Sequence, residues 1–184
     1  MPNDGSDNTD LLISLNSLLR ESKYSTLEEY VGNNQKLRRF CGLSDEKFSH
    51  QLITIALPSD YDIDRLKQKL ISLQYNRRTG APTKWLIGAI ISVEYYSKSH
   101  PDGGNLHCHI LKPNNYQRMK IIRDMAVHFK IEPNFVDVKA GQYLQLYNTR
   151  KDYIMGVKQE DKEEYSKLDK IWRLENKIQD VYEF

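Results

Sequence analysis

The segment Leu106-His107-Cys108-His109-Ile110 carries two imidazoles separated by one residue. Side chains on a strand alternate between faces, so His107 and His109 point one way, and Leu106, Cys108 and Ile110 the other. Neutral imidazole is a common metal ligand whose second nitrogen is free for an orienting partner, so the pair can share a divalent ion. A hard ion such as Mn²⁺ or Mg²⁺ also takes oxygen ligands. Glu94 is the best candidate, because it lies near the end of an apolar stretch that the turn residues of SKSHPDGGN fold back against the histidine strand. An isolated HxH pair on a strand usually just faces solvent or a groove. A strand glutamate nearby and a candidate nucleophile downstream tip the balance towards metal chemistry.

Regular elements must hold these residues in place, and from residue 51 the chain supplies them. QLITIALP reads as a strand ended by Pro58. DIDRLKQKLISLQY reads as a helix with Ile63, Leu66, Leu70 and Leu73 on one face. WLIGAIISVEYY reads as a long apolar strand and LHCHILKP as another; NNYQRMKIIRDMAVHFK is a helix and FVDV a short strand. The order β-α-β-β-α-β predicts an α+β, ferredoxin-like split βαβ with a central antiparallel sheet. A polar helix containing DYIMGVK follows. The expected organisation is a disordered 1–9, a helical extension over 10–50 (helices at 10–22 and 25–40), a domain over 51–160 and a helical tail over 161–184.

Composition sets bounds on function. The chain has 184 residues, enough for one domain with appendages, and 39% hydrophobic with 28% charged residues is ordinary for a globular protein. No apolar run approaches a membrane span and the first ten residues lack the pattern of a signal peptide, which predicts an intracellular protein without a membrane partner. Cys41 and Cys108 lack the paired spacing of a zinc site. A net charge of +2 points only weakly to a polyanion, but Arg65, Lys67, Lys69, Arg77, Arg78 and Lys84 cluster as a local DNA-contacting face would, or as a solvated helix surface does. The twelve tyrosines include rings that could stack on exposed bases. No GxxxxGK[ST] phosphate loop is present, which argues against nucleotide hydrolysis.

Taken together, these residues resemble the HUH endonuclease domain of rolling-circle replication initiators, the Rep proteins of small circular single-stranded DNA viruses and related plasmids. The resemblance spans roughly residues 51–158. LITIALP is similar to the family's first motif, which implies a role for Thr54 and its neighbours in reading the origin. SVEYYSKSHPDGGNLHCHI is similar to the second, implying a metal held by Glu94, His107 and His109. DYIMGVK is similar to the third, which carries the nucleophilic tyrosine in a YxxK pattern and implies Tyr153. Position 156, where that pattern has lysine, is Gly156. Lys158 is the nearest downstream lysine, and Lys151 is another basic neighbour. A five-residue offset is about 140° around a helix, away from the neighbouring position. Tyr147, followed by Arg150, is a rival nucleophile.

The resemblance implies metal-dependent nicking and joining of single-stranded DNA through a 5′-phosphotyrosine, with Mn²⁺ or Mg²⁺ as cofactor and an origin hairpin as substrate. Arg65, Lys69, Arg77, Arg78 and Lys84 are the expected strand track. It also implies a helicase domain in a longer protein or a host polymerase as partner. The site of action would be the nucleus for a eukaryotic virus and the cytoplasm otherwise. Three alternatives stay open: a relaxase or single-strand transposase with the same chemistry, a non-catalytic nucleic-acid-binding module of the same fold, and a relative that keeps the fold without activity.

Overall fold

Alternating apolar residues set the first strand. Ile53 and Ile55 are fully buried on one side, while Leu52 and Thr54 turn to the other. The computed structural model describes residues 46–74, 84–156 and 162–184. The expected disorder at 1–9, the helices at 10–22 and 25–40, and the side chains of Arg77, Arg78 and Lys158 lie outside them. The elements run β1 (Lys47–Ala56), α1 (Ile63–Gln74), β2 (Ile90–Glu94), β3 (His107–Pro113), α2 (Arg118–Phe129), β4 (Val136–Tyr143), α3 (Leu144–Ile154), α4 (Glu163–Glu175) and β5 (Tyr182–Glu183). Single 3₁₀ turns at Lys84–Leu86 and Pro133–Phe135 precede β2 and β4.

The strands form one sheet in the order β4-β1-β3-β2-β5, and each neighbouring pair is antiparallel. This α+β arrangement is compatible with a ferredoxin-like fold. One face of the sheet is the main core. Ile53, Ile55, Ile91, Val93, Cys108, Ile110, Val136 and Val138 are packed under Leu66, Leu70 and Leu73 of α1 and Ile121, Met125 and Phe129 of α2. The expected apolar face of α1 is the one that is buried.

Four elements differ from expectation. β2 covers only five residues of the apolar stretch that begins at Trp85. Gly88 adopts φ +77°, and its N–H is bonded to the carbonyl of Phe184, the residue after β5. β4 extends FVDV to eight residues, and β1 begins at Lys47, before the expected start. The helical tail continues into β5, which pairs with β2, and Trp172, Ile178 and Tyr182 join the core. Among the described residues, no helix is long and apolar enough to cross a membrane.

The opposite face is covered in part by α3. Its Leu146, Arg150 and Ile154 are buried at four-residue spacing, and Ile154 meets Ile90 and Leu111 of the sheet. The start of α3 rests on an aromatic cluster, with Tyr147 against Phe48 at 4.6 Å and edge-on to His50 at 5.5 Å between ring centroids. Gly141 lies flat against the His50 ring, and a β-carbon there would run into it. His50 is fully buried, and its Nδ1 faces the Phe48 carbonyl at 2.8 Å.

Burial, reinforced by the Arg150 charge and partly opposed by the Phe48 carbonyl, lowers the His50 pKa from 6.5 to about 4. The folded ring therefore refuses a proton that the unfolded chain accepts. The sign is fixed: stability is complete above pH 6.5 and falls as pH drops towards 4. At 1.36 kcal/mol per unit the loss totals about 3 kcal/mol. Urea unfolding between pH 7.5 and 4.5 should show it, with a His50→Gln variant giving a flatter profile. An equally steep profile in the variant would place the effect on other groups. Gly141→Ala should cost about 1–3 kcal/mol by overpacking, read in the same unfolding experiment.

Candidate functional site

Strand register brings the site together. In the β2–β3 pair Glu94 lies opposite His107 and Ser92 opposite His109, while in the β1–β3 pair Thr54 lies opposite His109. Leu106, Cys108 and Ile110 are buried in the core, so both imidazoles project from the other face as alternation requires. The rings form a near-parallel stack, 6.2 Å between centroids and 11° between planes.

Each imidazole has a partner at Nδ1. His107 Nδ1 lies 2.9 Å from the Asn105 carbonyl, which can only accept, so Nδ1 carries a proton and the neutral ring offers its lone pair at Nε2. His109 Nδ1 lies 3.2 Å from Thr54 Oγ1, a hydroxyl able to donate or accept and so to suit either tautomer. His109 Nε2 is 3.4 Å from Glu94 Oε2, and both side chains are only about a tenth exposed, at 12% and 11%. Nitrogen fixed at Nδ1 and offered at Nε2 is the usual preparation of a histidine ligand.

Helix α3 brings Tyr153 over this face. The phenol donates to Glu94 Oε2 at 3.3 Å, and its ring stands edge-on to His109 at 5.7 Å between centroids. Burial above all, then the Glu94 carboxylate and more distant Asp169, push the phenol well above its ordinary pKa. Tyr153 sits in the final turn of α3, which ends before Gly156 at φ +90°. That left-handed conformation suits glycine and terminates the helix where the family pattern would place lysine. The Lys162 ammonium lies 5.7 Å from the centre of the Tyr153 ring, within cation–π range. Tyr147 is instead part of the Phe48–His50 cluster.

Glu94, His107, His109, Tyr153 and Thr54 are thus on one face, in two adjoining rows. Of the expected strand track, the described Arg65 and Lys69 are not gathered there. Arg65 and Lys69 belong to α1, which covers the core face, on the far side of the sheet from the histidines. Arg65 lies over the Tyr61 ring at 5.2 Å, and the Lys69 carbonyl accepts from His128. A crossover helix between β1 and β2 has to bury its apolar side on the core, which carries its charges outward and away from the site. Lys84 opens the 3₁₀ turn ahead of β2. The Asn105 carbonyl and Lys162 were not found from sequence. A backbone acceptor leaves no mark in residue types, and Lys162 is brought in by a chain path rather than a helical period.

Among the described residues, no group of three or more His, Cys, Asp or Glu side chains is already close enough to hold a metal ion. The donor set nevertheless fits one. Two imidazoles with anchored Nδ1 atoms adjoin a nearly buried carboxylate, and Ser92 Oγ, opposite His109, is buried with no hydrogen-bond partner among the described residues. No family model, curated protein or solved structure matches the chain.

Thr54→Val removes the acceptor that His109 Nδ1–H needs when Nε2 binds an ion. Mn²⁺ affinity measured by calorimetry should fall about tenfold, with unfolding free energy lowered by only ~1 kcal/mol. Unchanged affinity would mean that Thr54 does not orient the ring.

Proposed function

We propose that this chain is a metal-dependent HUH-type endonuclease that nicks and rejoins single-stranded DNA through Tyr153, the reaction that initiates rolling-circle replication. One observation carries the reading: the Tyr153 hydroxyl contacts the same Glu94 oxygen that faces His109, at 3.3 and 3.4 Å. The frame supports it as well. β1 and β2 run parallel with β3 between them, and we read the β4-β1-β3-β2 order as the ferredoxin-like split βαβ, extended by β5.

Glu94, His107 and His109 would hold Mn²⁺ or Mg²⁺. When bound, the ion supplies Lewis-acid stabilisation of charge on the scissile phosphate. Tyr153 Oη attacks phosphorus, and the phenol proton passes to solvent. The bond from phosphorus to the 3′-oxygen breaks, giving a 5′-phosphotyrosine ester, and the departing oxygen takes a proton from solvent to become a 3′-hydroxyl. That hydroxyl is one a polymerase could extend. A phenol with an unperturbed pKa of about 10 is a better leaving group than an alkoxide, so the ester stays reversible and a later strand end can displace it.

The raised pKa of Tyr153 works against phenolate formation. The Lys162 ammonium over the ring is the group we assign to stabilising charge on the phenol oxygen and the phosphate, a role the resemblance would have given to Lys158. Thr54 orients His109, and Asn105 orients His107.

Labelled single-stranded oligonucleotides carrying candidate origin hairpins should, with Mn²⁺, give a nick and a denaturant-stable protein–DNA adduct. EDTA, His107→Ala and Tyr153→Phe should each reduce the adduct to background. Tyr147→Phe should leave it within a few-fold of the wild type. An adduct lost only with Tyr147→Phe would overturn the nucleophile. Tight binding across a broad origin panel, with neither nick nor adduct, would replace this reading with that of a non-catalytic single-strand-binding module.

A further inference from the structure

Glu94 is held by more than its own strand, because α4 takes the backbone on both sides of it. Asp169 Oδ1 accepts from the N–H groups of Tyr95 and Tyr96, the two residues after Glu94, at 2.7 and 2.9 Å. Arg173 Nη1 donates to the carbonyl of Val93, the residue before it, at 2.7 Å. Between these contacts, Trp172 stacks on Tyr95 with 4.6 Å between centroids and 2° between planes. Positions 169, 172 and 173 follow the i, i+3, i+4 spacing of one helix face, so a single turn makes all three contacts.

The same path reaches the first histidine. The Tyr95 carbonyl accepts from the Asn105 N–H at 2.9 Å, and the Asn105 carbonyl accepts from His107 Nδ1–H at 2.9 Å. A displacement of Tyr95 would therefore move Glu94 and His107 together.

Docking alone does not account for Asp169. Its side chain is buried, with the residue only 1% exposed, and burying a carboxylate brings little net stability compared with a well-packed apolar residue. What the carboxylate adds is a charge-assisted fix on two specific N–H groups. We propose that α4 is a working part of the site, with Asp169 and Arg173 as positioning residues that set Glu94 and, through Tyr95 and Asn105, His107. The proposal rests on the reading of Glu94 and His107 as metal ligands. It extends the site to a helix that sequence reading placed in a tail.

The test uses the full chain. Asp169→Asn keeps the shape of the side chain but loses its charge, Arg173→Met keeps the stem but loses the donor, and Lys170→Ala changes an exposed position of the same helix. Mn²⁺ affinity is measured by electron paramagnetic resonance, the His107 ring resonances by NMR, and Tyr95–Trp172 packing by near-ultraviolet circular dichroism. Asp169→Asn and Arg173→Met should weaken Mn²⁺ binding on the order of tenfold and move the His107 resonances, as loss of an outer partner of a metal ligand does. Lys170→Ala should do neither. If Mn²⁺ affinity and the His107 resonances stay at wild-type values while the dichroism persists, the proposal is overturned. Should Asp169→Asn fail to fold, Arg173→Met decides on the same readouts. A wild-type chain that binds no Mn²⁺ would defeat the functional reading, and the His107 resonances would then decide the positioning claim alone.

Discussion

The register of β3 between β1 and β2 is the constraint on which the rest depends. It sets Thr54, His109 and Ser92 in one row and places Glu94 beside His107 in the next. Because strand side chains alternate, a slip of one residue would turn both imidazoles into the core and expose Cys108 and Ile110. Those two residues are fully buried, so the apolar core itself enforces the register that presents the histidines. Packing and chemistry are opposite faces of the same strand.

Helix α3 adds the second requirement, a phenol above the carboxylate. Its placement is decided some distance away, where Tyr147, Phe48, His50 and Gly141 fit together, and it ends at Gly156 just after Tyr153 has been delivered. The resulting pair is electrostatically tense. A partly buried phenol beside a carboxylate prefers to keep its proton, so the arrangement favours a cation at this spot. The two imidazoles and the Lys162 ammonium are the groups gathered around it.

Much of this was legible in the sequence, for identifiable reasons. Period-two alternation gave the orientation of His107 and His109, and the DGG turn gave the return of their strand towards Glu94. The helical period of Leu66, Leu70 and Leu73 gave the buried face of α1. The apolar face that anchors α1 to the core directs Arg65 and Lys69 away from the histidine face, a placement that their spacing in the sequence does not reveal. Nor could periodicity show how α3 crosses the sheet. The contacts of Asp169, Arg173 and Asn105 run through backbone groups, which leave no pattern in residue types. β2 is shorter than the apolar run because Gly88, at φ +77°, leaves the strand conformation, which an apolar run does not reveal.

The pairing of β5 with β2 has a consequence for biosynthesis. Strands β1 to β4 and their two crossover helices leave the ribosome well before residues 182–183, so the nascent sheet presents β2 as an open edge. An unpaired edge is a template for association with other chains, and long-range pairing is slow to form. Until β5 arrives, Ile90 and Ile91 of the strand that bears Glu94 stay unpaired on that side. Late translation thus closes the edge at Ile90 and Ile91, and a stalled chain would be sticky.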